Sequence, residues 1–250
     1  MHVDLASDPK FRAGEYKEAF ESVFLKVDKD FLATDDESGT TSVTVLLTPD
    51  GKIYCSNAGD SRCVMSRGGK AVPLSFDHKP SGEVELRRIQ AAGSGVSFDR
   101  VGGELAVARA IGDVRFKNNP HIPLKDQAVT AFPEVTVTEI TPDVEFVLLA
   151  CDGVWDVLTN DTAVEFIHAK LRETHDIQVV TNALLDHALE LGSKDNITAL
   201  IVVFKSFLGQ LTITPATAQP NHVSNTEGET PALSTGAKAA ADAAQFNSLD

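Results

Sequence analysis

The sequence predicts an α+β fold in which helices pack on antiparallel β-sheet. A series of short strands separated by turn signals, between residues 42 and 74, is typical of an antiparallel meander. Helical spacing of apolar residues precedes this meander at 15–32 and returns after residue 160. With 250 residues and 42% hydrophobic content, the chain suits one domain of ordinary size followed by a tail.

The first predicted element is an amphipathic helix over residues 15–32. Its apolar side chains recur at i, i+4, i+7 and i+8, with charged residues between them; they are Tyr16, Phe20, Val23, Phe24, Val27 and Phe31. Such a stripe packs on a protein core far more often than it forms a binding surface. We therefore expect this helix to pack one face on a protein core.

The meander is predicted from four strand patterns, at 42–48, 53–58, 63–66 and 71–74. Turn chemistry separates them at Pro49-Asp50-Gly51-Lys52 and at Gly68-Gly69-Lys70. The second of these turns is not a phosphate-binding loop, because the first glycine and the Ser/Thr of that motif are absent.

Further elements follow in the second half of the chain. We predict a helix at 83–92 that Ser81 caps, a hairpin across Gly102-Gly103, and a long loop that begins after Asp113. The remaining predicted elements are strands at 134–140, 146–151 and 197–204 and helices at 161–173 and 176–191, the last of them ended by Gly192. From residue 206 the composition loses periodicity, so we assign 1–205 to the folded domain and 206–250 to a disordered tail.

The bulk composition excludes several classes of partner. A net charge of -14 argues against nucleic acid and anionic membranes. The three cysteines are an odd number without metal-type spacing, so we interpret them as buried thiols of a reducing compartment. No apolar run is long enough to span a membrane, and the first residues do not resemble a signal peptide. These features favour a cytoplasmic or nuclear protein.

Three aspartates share one structural situation, which is the end of a predicted strand. Asp152 ends the apolar run at 146–151, Asp60 follows a strand, and Asp195 stands just before one. Two interpretations of Asp152-Gly153 remain open: an acid that caps the following turn, which is the commoner role, or a ligand for a hard cation. If the three acids meet at one rim, they would suit Mg²⁺ or Mn²⁺.

Six motifs together resemble those of the metal-dependent type-2C protein phosphatases. They are Ser38-Gly39-Thr40-Thr41, Gly59-Asp60-Ser61-Arg62, Asp77-His78-Lys79-Pro80, Arg109-Ala110-Ile111-Gly112-Asp113, Cys151-Asp152-Gly153-Val154-Trp155-Asp156 and Gly192-Ser193-Lys194-Asp195-Asn196. The resemblance runs from residue 15 to 204. It implies a sandwich of two antiparallel sheets flanked by helices (α-β-β-α). It also implies Mn²⁺- or Mg²⁺-dependent hydrolysis of phosphoserine and phosphothreonine in proteins.

The resemblance assigns metal-binding roles to the three aspartates. Asp152 resembles a ligand shared between two metal ions, and Asp195 a ligand of one ion of that pair. Asp60 resembles the ligand of a third, weaker metal. Asn196 would help to hold the loop that carries Asp195.

The same resemblance gives other residues structural roles or none. It places a substrate-selecting flap at 94–107 and suggests that Arg109 and Asp113 are structural. We expect Trp155 to lie in the core behind the metal loop. We expect His78, a lone histidine in a loop, to be solvated and to carry no chemistry.

The chain also departs from the family pattern at its start. Members of the family have early strands with an Arg and an Asp-Gly-His-Gly segment, which supplies a bridging Asp and a candidate general-acid His. Here the chain opens at Met1-His2-Val3-Asp4, so no catalytic residue is assignable. We expect a truncated phosphatase with impaired activity and an exposed sheet edge that favours self-association. The alternative is an inactive, phosphatase-like binding module.

Overall fold

The computed structural model describes residues 1–211, which form eight α-helices and eleven β-strands. The helices are α1 (His2–Ser7), α2 (Pro9–Arg12), α3 (Tyr16–Leu32), α4 (Glu83–Ala91), α5 (Asp152–Trp155), α6 (Asn160–Glu173), α7 (Ile177–Glu190) and α8 (Lys205–Leu208). The strands are β1 (Gly39–Thr40), β2 (Ser42–Thr48), β3 (Lys52–Ala58), β4 (Arg62–Arg67), β5 (Lys70–Pro73), β6 (Val96–Ser97), β7 (Arg100–Val101), β8 (Ile111–Gly112), β9 (Glu134–Glu139), β10 (Val144–Ala150) and β11 (Ala199–Val203).

Two antiparallel sheets form the centre of the fold. One has the strand order β11-β10-β4-β5 and the other the order β2-β3-β9. Side chains alternate between the two faces of a strand, so each sheet presents an inner and an outer face. Ile53 and Cys55 from β3 pack in one buried cluster with Cys63 and Met65 from β4 and with Val147 from β10. The sheets therefore face each other across an apolar core.

Helices cover the outer faces of both sheets. On the four-stranded sheet, Phe146 and Leu148 of β10 pack with Ile167 of α6 and Leu184 of α7 in a second buried cluster. On the three-stranded sheet, α3 buries the apolar stripe that the sequence predicts, and Phe20 and Phe24 are fully buried. The predicted α-β-β-α order of layers is thereby confirmed.

Most predicted elements form within two residues of their expected ends. The capping chemistry explains the helix starts: Thr159 caps α6 in a capping box with Thr162, and the Asp176 carboxylate caps α7. At the other end of α7 the C-cap is Leu191, and Gly192 follows with φ of 92°.

One local prediction around α4 is wrong, and the segment after α4 contains a turn that the sequence did not predict. The N-cap of α4 is Gly82, without a side-chain cap, and the backbone N–H of Ser81 instead donates to Asp99 Oδ1 at 2.8 Å. The hairpin between β6 and β7 turns at Phe98 and Asp99, which have φ of 52° and 55°. Gly102-Gly103, where the sequence predicts the hairpin, forms a second tight turn, which an antiparallel bridge between Val101 and Leu105 closes.

The ends of the described region add three observations. Helices α1 and α2 precede the first predicted element, and Leu5 packs against α3. At the other end, residues 205–208 form α8, and Phe207 is buried, so the folded part extends past the predicted boundary at 206. The rest of the predicted tail, from 212 onward, lies outside the described residues. None of the helices in residues 1–211 has the length and apolar character needed to cross a membrane.

The edges of both sheets are open within the described residues. β2 and β11 each pair with one neighbour, β2 with β3 and β11 with β10. Leu200 on β11 is 53% exposed. Self-association through such an edge stays a prediction.

Candidate metal centre

The sheet topology brings the three predicted aspartates to one rim. Ala150, the last residue of β10, pairs with Arg62 at the start of β4 and with Ala199 at the start of β11. Asp152 comes two residues after Ala150, Asp60 two residues before Arg62, and Asp195 four residues before Ala199. Strand ends that adjoin in a sheet place the loops beyond them side by side, so the three acids share this rim.

The electrostatics of Asp152 show that carboxylates crowd around it. Burial raises the pKa of Asp152 above its ordinary value, because the charged form loses solvation. Three neighbouring carboxylates raise this pKa further; they belong to Asp60, Asp195 and Asp156. Asp156, one turn after Asp152, is a member of this cluster that the sequence reasoning did not single out as a ligand. A cation at the rim would relieve the mutual repulsion.

Backbone packing fixes Asp152 against the Asp195 loop. Asp152 Oδ1 accepts a hydrogen bond from the N–H of Gly153 at 3.0 Å, and Asp195 Oδ1 accepts one from the N–H of Asn196 at 2.7 Å. A Cβ atom on Gly153 would lie 2.3 Å from the carbonyl oxygen of Asn196. The two loops thus touch through backbone atoms, and only glycine permits this approach. Asn196 holds the loop through its backbone rather than through its side chain.

Asp60 already has a cationic partner in the protein. It is 5% exposed, and its Oδ2 accepts a hydrogen bond from Lys79 Nζ at 2.6 Å. Burial opposes the charged form of Lys79, but the hydrogen bond to Asp60 and the negative charges of Asp60, Asp77 and Asp156 together outweigh it, so the pKa of Lys79 is raised. In the sequence, Lys79 stands in the turn that closes the meander. That position was the only sequence feature that could have suggested a contact with Asp60.

Arg62 connects the rim to helices α5 and α6. Its guanidinium binds both carboxylate oxygens of Asp77, each at 2.8 Å, and donates from Nη1 to Asn160 Oδ1 at 2.8 Å. The guanidinium carbon lies 5.1 Å from the centre of the Trp155 ring. Trp155 is 8% exposed and its Nε1 donates to the carbonyl of Ala150 at 2.9 Å, as expected for a core residue behind the metal loop.

Two further predictions concern residues beside the rim. Arg109 is structural, since its guanidinium pairs with Glu85 at 2.6 Å and donates to the carbonyl of Phe132 at 2.9 Å. The expectation that His78 is solvated is wrong. His78 is 5% exposed because its loop packs on Gly59, whose N–H lies 3.2 Å from Nδ1. Burial lowers the pKa of His78 to about 4.

The residues at the rim fit a hard divalent cation in chemistry but do not enclose one. Carboxylate oxygens are the ligands that Mg²⁺ and Mn²⁺ prefer. Within residues 1–211, however, no three His, Cys, Asp or Glu side chains come close enough together to hold an ion. Water or further ligands would have to complete its coordination, as Mg²⁺ sites commonly require.

The family model for protein phosphatase 2C matches residues 1–197 of the chain. The chain belongs to this family. A probable protein phosphatase 2C of Caenorhabditis elegans is 48% identical over 212 residues, which cover 81% of this chain and 59% of that protein. Protein phosphatase 2C homolog 2 of Schizosaccharomyces pombe is 43% identical over 210 residues, covering 80% and 57% respectively. The chain thus spans somewhat more than half the length of these two relatives.

Solved structures support the same fold. A phosphatase from Toxoplasma gondii superimposes with a TM-score of 0.68 at 26% identity, covering 82% of this chain and 78% of its own. A serine-threonine phosphatase 2C from the same organism has a TM-score of 0.68 at 24% identity. The antiparallel sheets and flanking helices of this chain are therefore those of a protein phosphatase 2C fold.

Proposed function

We propose that this chain forms part of a metal-dependent protein serine/threonine phosphatase. The substrates would be phosphoserine and phosphothreonine residues of proteins, and the cofactors two Mn²⁺ or Mg²⁺ ions with a weaker third. The observation that carries the proposal is the meeting of Asp60, Asp152 and Asp195 at one rim of a sheet in a chain of the protein phosphatase 2C family.

Each aspartate would have a distinct place in such a site. Asp152 and Asp195 are held together by the packing of Gly153 on Asn196, so they would bind the same ion. The ammonium group of Lys79 is paired with the Asp60 carboxylate and competes with a metal ion for it, so Asp60 would hold the weaker third ion. Bound divalent ions of this kind supply a water of lowered pKa and neutralise phosphoryl oxygens. The chain's own contribution is to fix the carboxylates that position them.

We expect the 250-residue chain by itself to be a weak catalyst. It contains no Asp-Gly-His-Gly segment, which in the family pattern supplies a bridging carboxylate and a candidate general acid. Its rim also lacks three converging ligands among residues 1–211. These two observations also favour the second candidate function, an inactive phosphatase-like module that binds partner proteins.

Composition supports the remaining parts of the proposal. The net charge of -14 makes a nucleic-acid or anionic-membrane partner unfavourable. Cys55, Cys63 and Cys151 are free thiols, which suits a reducing compartment such as the cytoplasm or nucleus.

Hydrolysis of a phosphothreonine peptide tests the proposed function. The purified chain with Mn²⁺ is expected to hydrolyse the peptide slowly, and Asp195→Asn is expected to reduce the rate at least about 100-fold, because it removes the negative charge of a direct ligand. Asp186→Asn, on the exposed face of α7, is the matched control and should leave the rate unchanged. Phosphate release would be measured with and without EDTA.

The outcomes separate the two candidate functions. Hydrolysis that survives both EDTA and Asp195→Asn would contradict the metal-dependent mechanism. Fast turnover by the 250-residue chain would contradict the expectation of weak activity. Binding of Mn²⁺ with no hydrolysis at all would favour the binding module.

A further inference from the structure

A second pocket lies beside the loop that carries Lys79. Its volume is ≈ 250 Å³, and its lining includes two apolar side chains that are unusually exposed, Phe76 at 56% and Val84 at 68%. Sites for drug-sized ligands measure about 300–1,000 Å³, so this pocket suits a single large side chain better than a whole small molecule.

One carboxylate in this pocket has no cationic partner. The other acids that line it are each paired with arginine: Asp77 with Arg62, Glu83 with Arg87, and Glu85 with Arg88 and Arg109. Among residues 1–211, the only basic group within 4.0 Å of the carboxylate of Glu134, at the start of β9, is His78, with 3.8 Å between Oε2 and Nε2. Arg109 also lines the pocket, but its guanidinium is paired with Glu85. Its side chain is 42% exposed, so it is accessible to a cation from outside.

His78 presents an unpaired hydrogen-bond donor to Glu134. The carbonyl oxygen of Gly59 already accepts two hydrogen bonds, one from the backbone N–H of His78 at 3.0 Å and one from Asn57 Nδ2 at 3.1 Å. His78 Nδ1 lies 3.2 Å from the backbone N of Gly59 and 3.1 Å from its carbonyl oxygen. Because that carbonyl oxygen already accepts two hydrogen bonds, we assign Nδ1 as the acceptor of the Gly59 N–H and place the ring proton on Nε2. Nε2 is buried and has no hydrogen-bond partner. The lowered pKa of His78, near 4, keeps the ring neutral at pH 7.

We propose that this pocket is a docking site for an arginine side chain, flanked by apolar residues, on a segment of a partner protein. Glu134 would bind the guanidinium in a bidentate pair, which matches the planar geometry of both groups. Phe76 offers an aromatic surface on which a guanidinium stacks, and Val84 offers an apolar contact for the neighbouring residue. A movement of Glu134 by about 1 Å would bring it into hydrogen-bond range of His78 Nε2.

The pocket lies directly beside the acidic rim. His78 stands between Asp77, which holds Arg62, and Lys79, which binds Asp60. A docked segment therefore lies next to the acidic rim on the same loop. Binding at this pocket is distinct from phosphate hydrolysis and is testable without any catalytic readout.

The test uses the 250-residue chain and a synthetic probe. The probe is a fluorescein-labelled, acetylated peptide of sequence Ala-Ala-Leu-Arg-Leu-Ala-Ala, and its match carries citrulline, a neutral analogue of the same shape, in place of arginine. Fluorescence anisotropy is expected to show at least tenfold tighter binding of the arginine peptide. Glu134→Gln should abolish this difference, whereas Glu139→Gln, at the exposed end of the same strand, should preserve it.

Two more readouts address the apolar contact and the histidine. Val84→Ser should weaken binding of the arginine peptide at least fivefold, whereas Val179→Ser, at a valine that is also exposed but lies on α7, should not. In ¹⁵N-labelled protein, the Nε2–H signal of His78 should shift downfield as the arginine peptide binds. Equal affinity for the arginine and citrulline peptides would overturn the proposal. So would equal affinity of the Glu134→Gln and Glu139→Gln variants, or no binding at 1 mM peptide.

Discussion

Replacing Lys117 with methionine is expected to lower the free energy of unfolding by about 3–5 kcal/mol. Lys117 Nζ donates to Asp28 Oδ1 at 2.6 Å and to the carbonyl of Ala110 at 2.7 Å, and both charged side chains are fully buried. Burial lowers the pKa of Lys117, because the ammonium group has lost its water. Removing the lysine leaves the Asp28 carboxylate buried without a counter-ion. Urea denaturation followed by circular dichroism measures the change.

Two companion variants identify the cause. Lys125→Met removes an exposed lysine eight residues later and should change stability by less than about 0.5 kcal/mol. In the wild-type chain the N–H of Gly112 donates to Asp28 Oδ1 at 2.8 Å. The double variant Asp28→Asn/Lys117→Met keeps an oxygen acceptor for this N–H and buries no charge. It should be more stable than Lys117→Met alone. A single-variant loss below 1 kcal/mol would contradict this account of the pair.

The second large effect is expected from Gly153→Ala. The added methyl group would meet the carbonyl oxygen of Asn196 at 2.3 Å, a backbone atom that cannot move aside alone. The Asp195 loop must therefore shift away from Asp152. We expect the variant to lose most of the Mn²⁺-dependent rise in melting temperature, even where the fold survives.

The control for this variant is Gly95→Ala. No atom lies within 4 Å of a Cβ at Gly95, so the same chemical change meets open space. Its Mn²⁺-dependent rise in melting temperature should equal that of the wild type. An undiminished rise in Gly153→Ala would show that the distance between the two loops does not matter for metal binding.

Periodicity and turn chemistry were enough to predict the helices and strands of this fold, whereas their order in layers was implied by the family resemblance. The stripe of α3 and the meander of β2 to β5 depend on neighbours in the sequence, so their signals are local. The turn at Phe98 and Asp99 was missed because its left-handed backbone is held by contacts, including the bond from Ser81 to Asp99, rather than by glycine.

The site was predictable only in part, for a related reason. The sequence shows that Asp60, Asp152 and Asp195 lie at strand ends, but strand order decides whether those ends adjoin. The pairing of β10 with both β4 and β11 supplies that information. The burial of His78 likewise depends on a tertiary contact with Gly59, nineteen residues away, that leaves no local pattern. The ion pair of Asp28 and Lys117, 89 residues apart, is hidden from sequence for the same reason.

The most direct test of the central claim is a Mn²⁺ titration followed by electron paramagnetic resonance, in which bound Mn²⁺ loses its free-ion signal. The wild-type chain and the surface control Asp186→Ala are expected to bind Mn²⁺ with the same affinity. Asp152→Ala is expected to weaken that binding at least about tenfold, because the charges of Asp60, Asp195 and Asp156 all act on the Asp152 carboxylate. Equal Mn²⁺ affinity in all three proteins, or no binding by the wild type, would contradict a metal centre at this rim.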